Sequence, residues 1–198
     1  TRVGNQFMYG LIDLDNKILI AQQYKNIYSI GSLRYAVENF ENKMALFTEN
    51  GAQITPFTID SISSFKKNYA IIHQGLRQGL IDREGNIKME PTYREIRIDD
   101  DGSVYARQTD EWMFLNGQNK MFSSKRADAV SAIGKDLLHV TTSEVVQIED
   151  YTLKPLFSTT FSSFGSFSQG KAIFTIGDKY GIARKDGSIL IKAKYDNL

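Results

Sequence analysis

Short runs in which apolar and polar residues alternate recur along the whole chain and predict β-strands. Pairs of apolar residues two positions apart show the pattern: Ile18 and Ile20, Ile87 and Met89, Ile189 and Ile191. This period of two is typical of a half-buried strand. No stretch of useful length has a helical period, and only 3 prolines interrupt the chain. The pattern predicts an all-β fold.

The strands are organised as tandem repeats. A marker position, first seen as Gly10 in MYGLID, returns every 32 to 36 residues. The six markers are Gly10, Ala45, Gly79, Met113, Val145 and Gly181. Six residues after each marker lies a turn position: Asn16, Gly51, Gly85, Asn119, Tyr151 and Gly187. Because Gly and Asn tolerate the positive φ of tight hairpin turns, each copy is predicted to carry a hairpin here.

A third strand precedes the hairpin, in runs such as RYAVEN and KAIFTIG, whereas the first copy keeps only its end at TRV. The predicted unit is therefore a three-stranded antiparallel meander with a period of about 34 residues. We predict a single domain, residues 1–198, with copies at roughly 1–27, 34–62, 68–96, 103–123, 136–161 and 171–198. Stacked copies bury one another's apolar faces. An open twisted or superhelical β-array is favoured, and a closed propeller-like ring is the alternative.

Equivalent positions in the copies suggest structural roles. Glycine at the marker lets a neighbouring strand approach closely. Asp13 and Asp82, just before the turns, are expected to cap turn amides. The residues expected in the interior are Ile12, Ile81, Ile182, Ile18, Ile87 and Ile189. The residues expected where one copy meets the next are Tyr24, Tyr93 and Tyr195.

The copies resemble the WG (KWG) repeat family of bacterial proteins. The similarity rests on YGLIDLDNKILIAQQY, QGLIDREGNIKMEPTY and YGIARKDGSILIKAKY. The dipeptide that names the family is intact in none of the six copies, and the second, fourth and fifth copies are degenerate. The resemblance implies a β-repeat array, frequently in cell-envelope or secreted proteins, without known catalytic residues. It therefore favours an extracytoplasmic location.

Composition narrows the possible functions. Among 198 residues, 24 are basic and 23 acidic, and this balance argues against binding to nucleic acid or to an anionic membrane. The absence of cysteine excludes disulfides, zinc–thiolate sites and thiol nucleophiles. No apolar stretch is long enough for a membrane helix, so no membrane insertion is expected.

Candidate chemistry is sparse. His73 and His139 are the only imidazoles and are read as structural. Carboxylates could bind calcium at three places: Asp13 with Asp15, Asp82 with Glu84, and Asp99, Asp100 and Asp101. Turn capping and a solvated loop tip explain these groups without a metal. Trp112, the sole tryptophan, is a candidate for the rim of a binding surface. We assign no catalytic, cofactor-binding, metal-binding or ligand-binding residue from the sequence.

The leading functional prediction is a non-enzymatic binding or scaffold module that contacts a protein or a glycan. The degenerate copies are expected to carry its specificity. One alternative is a glycan-active enzyme on a propeller-like frame. The other is a structural spacer within an envelope protein.

Overall fold

The computed structural model consists of antiparallel β-strands joined by turns and loops. It describes residues 2–3, 6–100, 102–115, 121–133 and 137–197, and none of these lies in a helix. Across those ranges there is accordingly no helix that could span a membrane. The chain forms two compact units, one ending at Gly102 and the other beginning at Ser103. The prediction of an all-β fold is confirmed.

The first unit contains three sheets that follow one another along the chain and a short ribbon at the start. Its strands are β1 (Arg2–Val3), β2 (Gln6–Phe7), β3 (Tyr9–Ile12), β4 (Ile18–Tyr24), β5 (Asn26–Ser29), β6 (Arg34–Glu38), β7 (Met44–Thr48), β8 (Ser61–Ile62), β9 (Tyr69–Gln74), β10 (Arg77–Asp82), β11 (Ile87–Tyr93) and β12 (Glu95–Ile98). The ribbon pairs β1 with β2, and the sheets are β3–β4, β5–β6–β7 and β8–β9–β10–β11. The strand order in each is linear, so none of these sheets closes on itself.

The second unit repeats this plan. Its strands are β13 (Val104–Arg107), β14 (Glu111–Leu115), β15 (Met121–Arg126), β16 (Ala129–Ala132), β17 (Leu137–Thr142), β18 (Val145–Asp150), β19 (Ser163–Phe164), β20 (Lys171–Ile176), β21 (Lys179–Arg184) and β22 (Ile189–Tyr195). The meanders are β13–β14–β15, β16–β17–β18 and β19–β20–β21–β22.

The predicted three-stranded meander is present in the third, fourth and sixth copies, and the structure adds a short leading strand. Ser61–Ile62 leads the third copy and Ser163–Phe164 the sixth. Two residues are too few for an alternating pattern to reveal them. In the second and fifth copies the outer strand is reduced to isolated bridges, such as Met44 with Ile59.

The turn after the marker is a capped hairpin turn. One side-chain oxygen of Asp13 accepts hydrogen bonds from the amides two and four residues ahead, at 3.0 and 2.8 Å. Asp82 makes the same pair at 3.0 and 2.8 Å, which confirms both predicted caps. Asp150 repeats the motif in the fifth copy at 2.8 and 3.0 Å.

The fifth copy shows that the predicted register was wrong by two residues there. The turn residue with positive φ is Leu153, at 64°, and not Tyr151. The true marker is therefore Gln147, which lies 34 residues from both Met113 and Gly181. Neither Leu153 nor Gln147 is a residue that signals a turn or a marker. The capping Asp150 was the available signal. Asn119, the turn residue of the fourth copy, lies outside the described residues.

Glycine at the marker accommodates a bulged outer strand, as predicted. The register between β10 and β11 shifts across Gly79, and a Cβ there would lie 2.7 Å from the Met89 carbonyl oxygen and 2.9 Å from the Pro91 nitrogen. Cβ atoms at Gly10 and Gly181 would lie 2.7 and 2.6 Å from the equivalent carbonyl oxygens.

The fourth copy, with methionine at the marker, has a different outer strand. Met113 pairs with Ser124 in regular register, and the strands shift only beyond Met113. A side chain at the marker therefore accompanies an unbulged strand at that point. The presence of glycine at the marker distinguishes the two outer-strand geometries in this chain.

The two residues after each marker point to opposite faces of the sheet, and within each unit these faces form the core. The first forms a forward column: Leu11, Leu46, Leu80, Phe114, Ile148 and Ile182. Within a unit, this column packs on the next copy through Leu11, Leu46, Phe114 and Ile148. The second forms a backward column: Ile12, Phe47, Ile81, Glu149 and Ala183. Within a unit, this column packs on the preceding copy through Phe47, Ile81 and Ala183. In the first unit, for example, Leu46 packs with Ile81 and Ile72. In the second, Ile148 packs with Ala183 and Phe174.

Several residues expected in the interior are exposed instead. Ile81 is fully buried and Ile182 partly buried. The exposed ones are Ile12, Ile18, Ile87 and Ile189. The last three are the first residues of edge strands, immediately after a turn, and so have a neighbouring strand on one side only. In these strands the buried or half-buried residue comes two positions later, as at Ile20 and Met89.

Candidate binding pocket

A pocket of about 330 Å³ lies at the junction of the first and second copies. It is lined by Phe7, Tyr9, Lys25, Asn26 and Phe40. Its three aromatic side chains are 63, 49 and 40% exposed, in that order. Large rings usually bury more of their surface in a folded domain. Three exposed rings around a concave surface are typical of a binding site.

A hydrogen-bond network centred on Glu38 forms the polar side of the pocket. The Lys25 ammonium donates to Glu38 Oε1 at 2.6 Å, and the Asn26 amide donates to Oε2 at 2.7 Å. The Tyr28 hydroxyl also donates to Oε2, at 3.3 Å. Lys25 further contacts Asn42 Oδ1. Glu38 is buried and holds three donors in fixed positions.

The protonation states of this network follow from its contacts. Burial of Glu38 opposes its ionisation, but the hydrogen bonds from Lys25 and Asn26 and the Lys25 charge outweigh burial, so the pKa of the carboxyl lies below its usual value. Burial and the neighbouring Glu38 carboxylate raise the pKa of Tyr28. At neutral pH Glu38 is therefore ionised, Tyr28 is protonated, and the Lys25 charge is balanced by a carboxylate.

Sheet register and one capped turn place these side chains. Asn26 and Glu38 are directly opposite each other on β5 and β6. The turn between β6 and β7 is closed by Asn39, whose side-chain oxygen accepts hydrogen bonds from the amides two and four residues ahead at 3.0 and 2.9 Å. This turn carries both Phe40 and Asn42, so the ring and the amide share one rigid support.

The network suits binding better than proton transfer. Glu38 already accepts hydrogen bonds from three donors and stays ionised, so it acts as a fixed acceptor. Two of the three Lys25 donor positions are occupied, by Glu38 and Asn42. The third position and the outer face of Asn26 are the polar groups that the pocket offers to a ligand.

Neither histidine that the sequence singled out lies in this pocket. His73 Nδ1 is 3.0 Å from the Ser61 hydroxyl, and Nε2 is 3.1 Å from the Gln78 side-chain nitrogen. Both ring nitrogens thus have partners within the same sheet. Burial lowers the pKa of His139, which keeps its imidazole neutral at pH 7.

The carboxylates considered for calcium serve other roles. Asp13 and Asp82 cap turns, and the exposed Asp100 carboxylate contacts the Lys66 ammonium at 2.8 Å. Asp101 lies outside the described residues. Where the structure describes the chain, no group of three or more His, Asp or Glu side chains is arranged to hold a metal ion.

Trp112 does not lie at the rim of a binding surface, so that expectation was wrong. It is 2% exposed, and its indole nitrogen donates to the Ala127 carbonyl oxygen at 3.1 Å. The Arg107 guanidinium lies 5.5 Å from the ring centroid. Buried together with Phe114 and Leu138, the tryptophan is part of the core of the second unit.

Tyr24 lies where the first copy meets the second, as predicted. Its ring centroid is 5.8 Å from that of Phe47 and 5.7 Å from that of Phe57. Tyr93 is half-buried, and burial raises its pKa. Tyr195, in the last copy, is exposed and contacts Lys194.

The capped turn and the bulged strand beside Gly10 belong to a segment with known relatives. Residues 9–32 match the model of the WG containing repeat. The match confirms the resemblance for the first WG-type copy, which supplies one wall of the pocket. No curated protein matches the chain in sequence.

Solved structures similar to the chain share little sequence with it. A eukaryotic initiation factor superposes with a TM-score of 0.50 at 14% identity, over 87% of this chain and 54% of that one. BamB from Moraxella catarrhalis superposes with a TM-score of 0.39 at 10% identity, over 81% of this chain and 61% of that one. The computationally designed protein Ika8 superposes with a TM-score of 0.40 at 8% identity, over 89% of this chain and 64% of that one. The chain thus covers about 54 to 64% of the length of these proteins. The similarity to the eukaryotic initiation factor concerns the fold alone.

Sequence reasoning did not find the pocket. Its residues come from β2, β3, the β4–β5 junction and the β6–β7 turn, and no short motif contains them. The one available signal was Phe40, an aromatic residue inside the capped turn NFENK. A single exposed apolar side chain is common at a protein surface, so Phe40 alone did not indicate a pocket.

Proposed function

We propose that this chain is a non-enzymatic binding module that holds a neutral glycan in the pocket beside Glu38. The observation that carries the proposal is the placement of three exposed aromatic rings around a fixed polar network. The negative face of an aromatic ring attracts the polarised C–H groups on the flat side of a sugar. Lys25, Asn26 and Asn42 supply donors and an acceptor for hydroxyl groups, which both donate and accept.

The charge balance supports a neutral ligand. The Lys25 ammonium is compensated by Glu38 at 2.6 Å, so the pocket offers no net positive charge to an anion. The chain as a whole has a formal net charge of +1. A non-catalytic role agrees with Glu38 being held ionised by three donors. An extracytoplasmic location, where glycans are abundant, follows from the WG-type resemblance and is part of the proposal.

The test is a titration with cellohexaose, chitohexaose and maltohexaose, followed by backbone amide NMR. At least one sugar is expected to give saturable shifts at residues 25–28 and 38–42. Phe40→Ala is expected to weaken binding by about tenfold, a loss typical of an aromatic anchor. Leu76→Ala is the control, since Leu76 is fully exposed at a turn far from the pocket in sequence.

Two outcomes would overturn the proposal. One is the absence of saturable shifts with any of the three sugars. The other is equal loss of binding in the Phe40 and Leu76 variants. If instead an extended peptide from a random library binds at residues 25–42, the module recognises protein rather than glycan.

A further inference from the structure

The residue before the leading strand, the first strand of a sheet, caps a hairpin turn in three of the copies. Its side-chain oxygen accepts a hydrogen bond from the first amide of the turn between the two strands that follow. The pairs are Asp60 with Gly75 at 2.6 Å, Asp128 with Ser143 at 2.7 Å, and Ser162 with Gly177 at 2.9 Å. Each of these turns has two residues, at 75–76, 143–144 and 177–178. The position before the leading strand therefore has a structural task in these copies.

The second copy departs from this plan at the pocket beside Glu38. Lys25 precedes the leading strand β5, and its ammonium group donates hydrogen bonds but cannot accept them. The turn between β6 and β7 has five residues, is closed by its own Asn39 and carries Phe40. The fourth copy also has a cation before its leading strand, Arg94, but its turn at 108–110 contains no aromatic residue. Among the leading strands that the structure describes, only β5 combines a preceding cation with an aromatic turn.

Two hydrogen-bond donors lie side by side in this pocket. The Lys25 ammonium donates to Glu38 Oε1 at 2.6 Å, and the Asn26 amide donates to Oε2 at 2.7 Å. The two nitrogens are neighbours because these oxygens belong to one carboxylate. Glu38 and Asn42 occupy two of the three ammonium donor positions, and Glu38 occupies one of the two on the Asn26 amide. Each group thus has one N–H to offer to the same ligand atom.

This arrangement favours a carbonyl oxygen as that ligand atom. A carbonyl oxygen has two lone pairs and accepts from both donors. A hydroxyl oxygen can accept as well, but it brings a proton that needs its own acceptor. A carboxylate is disfavoured, because Glu38 already balances the charge of Lys25. In a neutral glycan the carbonyl group belongs to an acetamido substituent, and the methyl group of that substituent suits the exposed ring of Phe40.

We propose that the pocket selects N-acetylated sugars. The acetamido oxygen accepts hydrogen bonds from Lys25 and Asn26, and the acetamido methyl group packs on Phe40. This inference rests on the proposed function, since it names the class of sugar that the same pocket binds.

Chitohexaose and cellohexaose provide the matched comparison, because they share one backbone and differ in the acetamido group. Isothermal titration calorimetry is expected to give a Kd for chitohexaose at least about tenfold lower than that for cellohexaose. Saturation-transfer difference NMR on the unmodified protein is expected to show the strongest transfer to the acetamido methyl protons. Phe40→Ala is expected to reduce that transfer.

Asn26→Leu tests the pair of donors. It removes one donor and keeps the ion pair between Lys25 and Glu38. The affinity for chitohexaose is expected to fall by about tenfold, and that for cellohexaose by less than about threefold. Ser61→Ala is the control, because Ser61 begins β8 as Asn26 begins β5 and does not line the pocket. Far-UV circular dichroism checks that both variants are folded.

The outcomes distinguish this inference from the proposed function. If cellohexaose or maltohexaose binds as tightly as chitohexaose, the selection of N-acetylated sugars is refuted and the glycan pocket stands. If none of the three sugars binds, both proposals are refuted. An unchanged preference for chitohexaose in Asn26→Leu, or strongest saturation transfer to ring protons, would also overturn the inference.

Discussion

Gly79→Ala tests the idea that the marker glycine exists to admit the bulged outer strand. The new Cβ would lie 2.7 Å from the Met89 carbonyl oxygen and 2.9 Å from the Pro91 nitrogen. Both are backbone atoms, and proline restricts the local backbone further. Since ordinary contacts of a Cβ begin at about 3.4 Å, β11 has to move away from β10 by about 0.5–0.7 Å.

The expected cost is about 2 kcal/mol. Overpacking a well-packed interior costs about 1–3 kcal/mol, and the upper end applies because backbone has to move. From this we subtract about 0.4–1 kcal/mol, the gain from the lower chain entropy of alanine in the unfolded state. For cooperative unfolding of about 200 residues, 2 kcal/mol lowers Tm by about 4–8 °C.

The assay is urea unfolding followed by far-UV circular dichroism. Gly165→Ala is the control, because its Cβ would meet only the Ile173 carbonyl oxygen, at 3.3 Å, and its φ is not in the left-handed region. That variant is expected to change stability by less than about 0.5 kcal/mol. If the two alanine variants are equally stable, the marker glycine is not required by the bulge.

Three further predictions concern capping, acid and turn geometry. Asp82→Ala is expected to lower the free energy of unfolding by about 1–2 kcal/mol. The loss is expected to be larger than for Asp13→Ala, because Asp82 is buried and Asp13 only partly buried, and urea unfolding compares the two variants. The pKa of Glu38 is lower in the folded state, so its contribution to stability is present above the unfolded value of about 4.3 and is lost as the pH falls through the folded value. The free energies of unfolding of the protein and of E38Q, measured as the pH is lowered, are expected to differ at neutral pH and to converge below that range. Gln169→Asn is expected to add about 0.5 kcal/mol, since a two-residue turn with φ of 49° and 73° favours Asn-Gly; Trp112 fluorescence, which reports on the second unit, measures it.

The hairpins could be predicted from the sequence because the interactions that form their turns are local. A cap such as Asp82 and its amide partners lie within four residues, and a positive φ is required at Gly85 whatever surrounds it. The same locality explains the error in the fifth copy. Leu153 adopts a positive φ without being glycine or asparagine, so the turn left no compositional trace other than Asp150. The pocket beside Glu38 could not be predicted, because it depends on contacts between four separate elements.

The burial of the forward and backward columns could not be predicted from the sequence, and one comparison shows why. The four residues GLID occur twice, at 10–13 and at 79–82, with the same strand–turn pattern and the same bulge. Yet Ile12 is exposed and Ile81 is buried. The difference arises outside the four residues: Leu46 of the second copy packs on Ile81, whereas Ile12 keeps 57% of its surface exposed. Identical sequence therefore gives an identical hairpin, and the neighbouring sheet decides whether its isoleucine is buried or exposed.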